Sequence, residues 1–153
     1  MRLSFSGFLV FAMLCLNTGI AGATNDGAGH EIFLDNVGIG TLSPRQRLEV
    51  NNTAVFSTLV ANTCSGSATI NWNAGNKQLL TLNGNCTTLN FTAPLGVGNF
   101  NLKIVNTGSY TITWPAVKWP GGNAPTLTAS GTDMVSFFYD GTAYYASAAF
   151  DFK

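Results

Sequence analysis

The side chains in this 153-residue chain that could do chemistry are three cysteines, one histidine and seven carboxylates. Their placement narrows what that chemistry could be. His30 stands beside Glu31 and near Asp35, at the end of the polar, glycine-rich stretch Thr24–His30 (TNDGAGH). One imidazole and two carboxylates near a terminus are ordinary surface residues, because a metal centre needs a defined ligand set and geometry. No metal site is expected. A Ser-His-Asp arrangement would hang on this same histidine. Asp133 and Asp140 are the acidic residues closest together in the C-terminal half, and a glycosidase needs two carboxylates across a cleft. Asp140 reads more simply as a turn residue and Asp133 as the start of a strand. No glycine-rich phosphate loop opens onto a helix. The chain is expected to be no enzyme and to hold no cofactor.

The amino-terminal segment points instead to export. Met1-Arg2 is a short positive start, residues 5–16 are an apolar run, and Ala21-Gly22-Ala23 supplies a small-x-small site. That combination reads as a signal peptide over residues 1–23, since a permanent membrane helix needs roughly 20 apolar residues. Leu14 precedes Cys15 where a lipid-attachment motif needs a small residue, so no anchor is expected. Removal of residues 1–23 leaves Cys64 and Cys86. In an exported protein pairing is the default, and closing that loop would stabilise by roughly 3 kcal/mol. Two buried free thiols are the alternative; a C-x-x-C redox or metal pair fails on spacing. The expected location is secreted, periplasmic or cell-surface.

Charge is scarce. Charged residues make up 9% of the chain, and no acidic residue lies between Glu49 and Asp133, where Lys77, Lys103 and Lys118 are the lysines. Three lysines over that span form no basic patch, which argues against nucleic acid as a partner. Solubility has to come from Asn, Thr, Ser and Gly, or from covering apolar surface in an oligomer. The triplets that begin at Asn51, Asn85 and Asn90 match the N-glycosylation pattern, but such matches are expected by chance in an Asn/Thr-rich chain.

The elements that would position any site are strands. Phe100, Leu102 and Ile104 alternate with polar neighbours, and Tyr110–Trp114 (YTITW) is aromatic and β-branched. Val117-Lys118-Trp119 is bracketed by prolines, and Met134–Tyr139 and Thr142–Tyr145 flank Asp140-Gly141, a two-residue hairpin signal. Upstream, Thr53–Ala61 is strand-like, and Ser67–Trp72 alternates before a turn at Asn73–Asn76. Lys77–Leu82 and Cys86–Thr92 are separated by a turn signal at Asn83-Gly84. No helical period appears after the signal peptide. The expectation is an all-β protein. A flexible lead and short β stalk span residues 24–52, followed at 53–153 by an antiparallel head of sandwich or jelly-roll type.

The aromatics are the best binding candidates. Tyr144 and Tyr145 are adjacent in a strand and face opposite sides, so either a second layer covers one of them or a ring is exposed. Trp119 and Tyr145 are the candidates for stacking on a sugar ring; core or subunit packing is the plainer role for most of the aromatics.

Two stretches carry a family resemblance. The segment VGIGTLSP (Val37–Pro44) with RLEVNN (Arg47–Asn52) resembles a recurrent piece of bacteriophage tail fibres, with Asn52 in the place of the usual glycine. The succession "ITWP", "VKWPGG", "PTLT" and "DGTAYY" resembles the β-rich modules of the same virion appendages. The resemblance implies a non-catalytic structural or adhesive module that assembles as a homotrimer, here with a secretion signal that such fibres normally lack. A secreted carbohydrate-binding or enzyme-accessory sandwich is the other function class. Mass spectrometry of the exported protein is expected to find Thr24 at the amino terminus; an intact Met1 would refute the processing.

Overall fold

The computed structural model describes the backbone of Ala23–Asn25 and Glu31–Phe33, and residues 36–56 and 59–153 in full. Residues 1–22 of the expected signal peptide and the side chains of His30, Glu31 and Asp35 lie outside the described residues. The chain divides into two compact units, Met1–Val55 and Phe56–Lys153.

In the first unit β1 (Ala23–Asn25) pairs antiparallel with β2 (Glu31–Phe33), and β3 (Val37–Ile39) pairs parallel with β4 (Leu48–Val50). The VGIGT glycines have a steric reason. A Cβ on Gly38 would meet the Thr41 carbonyl oxygen at 2.5 Å, and Gly40 has φ +73°, a region open to glycine at little cost. Asn52 has φ +107°, so asparagine occupies a positive-φ position here, which it tolerates better than most residues. Arg45 and Glu49 close the loop with a 2.9 Å ion pair.

The second unit is all-β and sandwich-like, built on one curled, mixed sheet. Its strands are β5 (Val60–Asn71), β6 (Lys77–Thr92), β7 (Gly98–Asn106), β8 (Val117–Lys118), β9 (Thr132–Tyr139) and β10 (Tyr144–Ala149), in the order β5-β6-β7-β9-β10-β8. The sheet is not wholly antiparallel. β5–β6, β6–β7 and β10–β8 are parallel, while β7–β9 and β9–β10 are antiparallel. Lys77–Thr92 also runs as one strand through Asn83-Gly84, where a hairpin turn was expected.

A parallel pair joined by a loop as short as Trp72–Asn76 is unusual, because a parallel connection normally needs a dozen or more residues. The strand itself resolves this by curling. Gln78 pairs in register with Val60, yet its side-chain amide donates to the Asn71 carbonyl at 2.7 Å and to the Gly75 carbonyl at 2.8 Å. Both ends of β5 therefore approach one residue. A straight strand of this length would hold its ends roughly 35 Å apart. The bend sits where the register shifts between Cys64, Gly66 and Ser67, with Gly66 at φ +100°, the signature of a bulge.

Successive turns of chain then stack in parallel. Cys64, Leu82 and Asn106 lie in one row across β5, β6 and β7, each two residues before a glycine (Gly66, Gly84, Gly108). A sequence repeat accompanies the stacking: Gly66–Trp72 is GSATINW and Gly108–Trp114 is GSYTITW. The second copy, expected as a full strand, makes a single bridge to β6, at Cys86, which bonds to Thr111 and Thr113 on either side of Ile112, and Thr111 also donates to the Asn85 side chain. Cys64 and Cys86 form a disulfide with Cα atoms 5.5 Å apart, both buried at the bulge.

The inner face is a continuous core of Ile70, Leu80, Leu82, Leu102, Ile104, Val135 and Phe137. Trp72 stands among rings, 5.0 Å from Phe100 and 5.5 Å from both Phe91 and Phe137. Buried Gln78 also accepts from the Asn62 amide at 3.1 Å, so its polar atoms are all used. Replacing Gln78 by Leu would keep the volume but strand the Asn71 and Gly75 carbonyls. The expected loss is about 2–4 kcal/mol, read as a lower urea midpoint.

Candidate functional site

Nearly every large side chain on the inner face is committed to packing, so binding chemistry has to be sought on the outer face of β7, β9, β10 and β8. Strand alternation sends Asn99, Phe138, Tyr145 and Lys118 outward, and the register aligns them in one row across four strands. Asn101, Ser136 and Ser147 form the next row. A shallow depression of about 290 Å³ lies between the rows, lined by Asn99, Ser136, Phe138, Tyr145 and Ser147.

The row is set by the β9–β10 hairpin. Asp140-Gly141 does mark the turn, but four residues, 140–143, separate the paired strand ends Tyr139 and Tyr144 rather than two, and within them Asp140 N–H donates to the Ala143 carbonyl at 3.2 Å. Asp140 Oδ1 accepts the backbone N–H groups of Thr142 and Ala143 at 2.8 and 2.7 Å, and Gly141 takes φ +97°. Those two N–H bonds, Ala143 first, hold the Asp140 carboxyl below its ordinary pKa. The longer loop pairs Tyr139 with Tyr144 and Phe138 with Tyr145. With a two-residue loop Tyr145 would face Ser136, and the aromatic pair would not exist.

Tyr144 and Tyr145 divide as adjacent strand residues must. Tyr144 is 8% exposed and packs on Phe91 and Tyr139, whereas Tyr145 is 41% exposed. The Tyr145 ring lies 6.4 Å from that of Phe138, itself 44% exposed. On the other flank, Lys118 Nζ stands 4.8 Å from the Tyr145 ring centroid and donates to its hydroxyl at 3.2 Å, a cation–π contact at an exposed site. Asn101 donates to Ser136 Oγ at 2.9 Å and accepts from Lys77 Nζ, so the floor is pre-ordered.

Trp119, the other stacking candidate, is not brought to this face. It is half-buried on the core side, 5.1 Å from Trp114 and 6.4 Å from Phe137. Phe138, Lys118 and the serines were missed in the sequence. The adjacent Phe137-Phe138 pair carried the same signal as Tyr144-Tyr145, because one of each pair has to face outward.

The two carboxylates weighed for catalysis are separated. Asp133 and Asp140 stand at opposite ends of β9, on the order of 20 Å apart by strand rise. Asp133 is fully buried and accepts the Thr128 N–H at 2.7 Å and the Asp151 N–H at 3.0 Å, which pins a loop and the C-terminal segment. Among the described residues no group of His, Cys, Asp and Glu could hold a metal ion, and no helix is long and apolar enough to cross a membrane.

No protein-family model, curated protein or solved structure matches this chain.

The buried Tyr144 hydroxyl has no hydrogen-bond partner among the described residues. Burial, with Tyr139 adding to it, pushes its pKa up to about 12. An unfolded phenol titrates near 10, so the unfolded chain loses this proton first as pH rises. The associated stability is complete below pH 10 and is lost between about pH 10 and 12. Tyr144→Phe removes an orphaned hydroxyl and is expected to be neutral or stabilising at pH 8. It should also lose less stability than the parent between pH 10 and 12, as read by urea midpoints.

Proposed function

We propose that this chain is an exported, non-catalytic adhesive module of an extracellular appendage, and that the outer face of β9 and β10 is its adhesive surface, taking carbohydrate. The observation that carries the reading is the exposed Phe138–Tyr145 pair beside a floor of uncharged amide and hydroxyl side chains. A sugar ring offers both an apolar C–H face and hydroxyls. Aromatic rings with a polar rim satisfy both without a charged ligand group. A site of this kind binds and orients, and it lacks the paired acid and base that hydrolysis requires. Lys118 covers one flank of Tyr145, so the sugar approaches over the Phe138 edge and the serine floor.

The Cys64–Cys86 disulfide supports an oxidising compartment, consistent with export. The compact β3–β4 loop, with its sterically required Gly38 and positive-φ Asn52, supports the tail-fibre resemblance of that segment. On this reading the protein is a homo-oligomer, three-fold by that resemblance. Exposed Ile39, Leu42 and Leu48 in the first unit are apolar surface that assembly would cover.

Glycan-array binding by the exported protein is the test. Tyr145→Ala and Phe138→Ala are each expected to weaken binding at least tenfold while leaving the fold intact, because both rings are exposed. Trp119→Ala should lower thermal stability and leave glycan affinity unchanged. Binding unaffected by the Tyr145 and Phe138 changes would refute the assignment of the face.

A further inference from the structure

Away from the outer face, a groove of about 400 Å³ runs between the Ser109–Trp114 segment and the loop 124–129. Its walls include Tyr110, Ile112, Trp114, Pro125, Thr126 and Leu127, and no charged residue lines it. One wall is an extended backbone with a free side. Cys86 bonds to Thr111 and Thr113, so the N–H and C=O of Ile112, between them, point away from β6. Neither has a hydrogen-bond partner among the described residues. The segment is the last rung of the parallel stack, and its free side is where a further rung would add. A strand edge with apolar pockets beside it takes an extended peptide by main-chain pairing, with alternate side chains filling the pockets.

The chain carries a segment with the chemistry of that peptide. Thr53–Phe56 (TAVF) has no secondary structure, and its backbone has no hydrogen bond among the described residues. Val55 and Phe56 are 83% and 59% exposed. No charged residue occurs between Glu49 and Lys77, which matches the neutral groove. The segment is β-branched and aromatic, as strand pairing favours, and it sits at the boundary between the two compact units.

We propose that the groove between 109–114 and 124–129 is an acceptor site for Thr53–Phe56 of a second copy of this chain, which pairs beside Ile112 as an added strand. The contact joins two different surfaces, so it is head-to-tail. It closes into a ring when the rotation between copies allows. It uses none of the outer-face residues assigned to carbohydrate.

Sedimentation of the full exported chain at micromolar concentration tests it, with two exposed substitutions. Phe56→Asp spoils the donor segment, and Thr126→Arg charges the groove; Ala124→Arg, also exposed, replaces the latter if it disturbs the near-ultraviolet circular dichroism. The wild type is expected to be an oligomer and each variant a monomer. Because each variant keeps one intact half of the contact, mixing them should yield a heterodimer and nothing larger. Glycan affinity per chain should be unchanged in both monomers, which separates this contact from the adhesive face. A monomeric wild type, an oligomer insensitive to both substitutions, or a mixture that stays monomeric would each overturn the proposal.

Discussion

The buried amide of Gln78 is the interaction on which the second unit depends. It bonds to the end of β5, to the turn after it and to Asn62 near the start of β5. A strand that must return to its own origin within a five-residue turn leaves carbonyls facing inward with no ladder partner. Each buried group of that kind costs about 1–3 kcal/mol if unmet. One glutamine meets two of them and lets β6 start beside Val60. Parallel stacking, the row of Cys64, Leu82 and Asn106, and the placement of the disulfide all follow from that return.

The curl also decides which surfaces are free. Once the sheet bends around Trp72 and Phe137, its concave side fills with rings and aliphatic side chains, and the convex side is left to the alternate residues. These are mostly Asn, Ser and Thr, with Phe138 and Tyr145 among them. Polar satisfaction on this surface is local and mostly uncharged, as in the Asn101–Ser136 bond, with Lys77 and Lys118 as charged donors to Asn101 and Tyr145. The same neutrality extends to the groove beside Ile112, where the stack ends with an unused edge.

Much of the fold was legible. Strand alternation in Phe100–Ile104 placed the right side chains inward, because a period of two is a property of the extended backbone itself. The Asp140-Gly141 turn and the Cys64–Cys86 pair were equally readable, one from turn chemistry and the other from the count left after the apolar leader. Asn73–Asn76 is a turn, but it joins parallel strands, and Asn83-Gly84 looked like a hairpin turn and lies inside a continuous strand. The GSATINW and GSYTITW copies were present as a signal of stacked turns, since repeated segments tend to occupy equivalent positions in successive layers.

Residue order alone thus determined the all-β class, the two faces of the strand Phe100–Ile104, the disulfide partners and the division of Tyr144 from Tyr145. Only the tertiary structure decided the parallel pairing of β5, β6 and β7, the four-residue loop that sets Tyr145 against Phe138, and the packing of half-buried Trp119 against Trp114. The physical reason is that alternation and turn propensity act between near neighbours. Strand direction and register depend instead on where a curled strand can satisfy its backbone, and here Gln78 and Gly66 settle that at a distance no local pattern records.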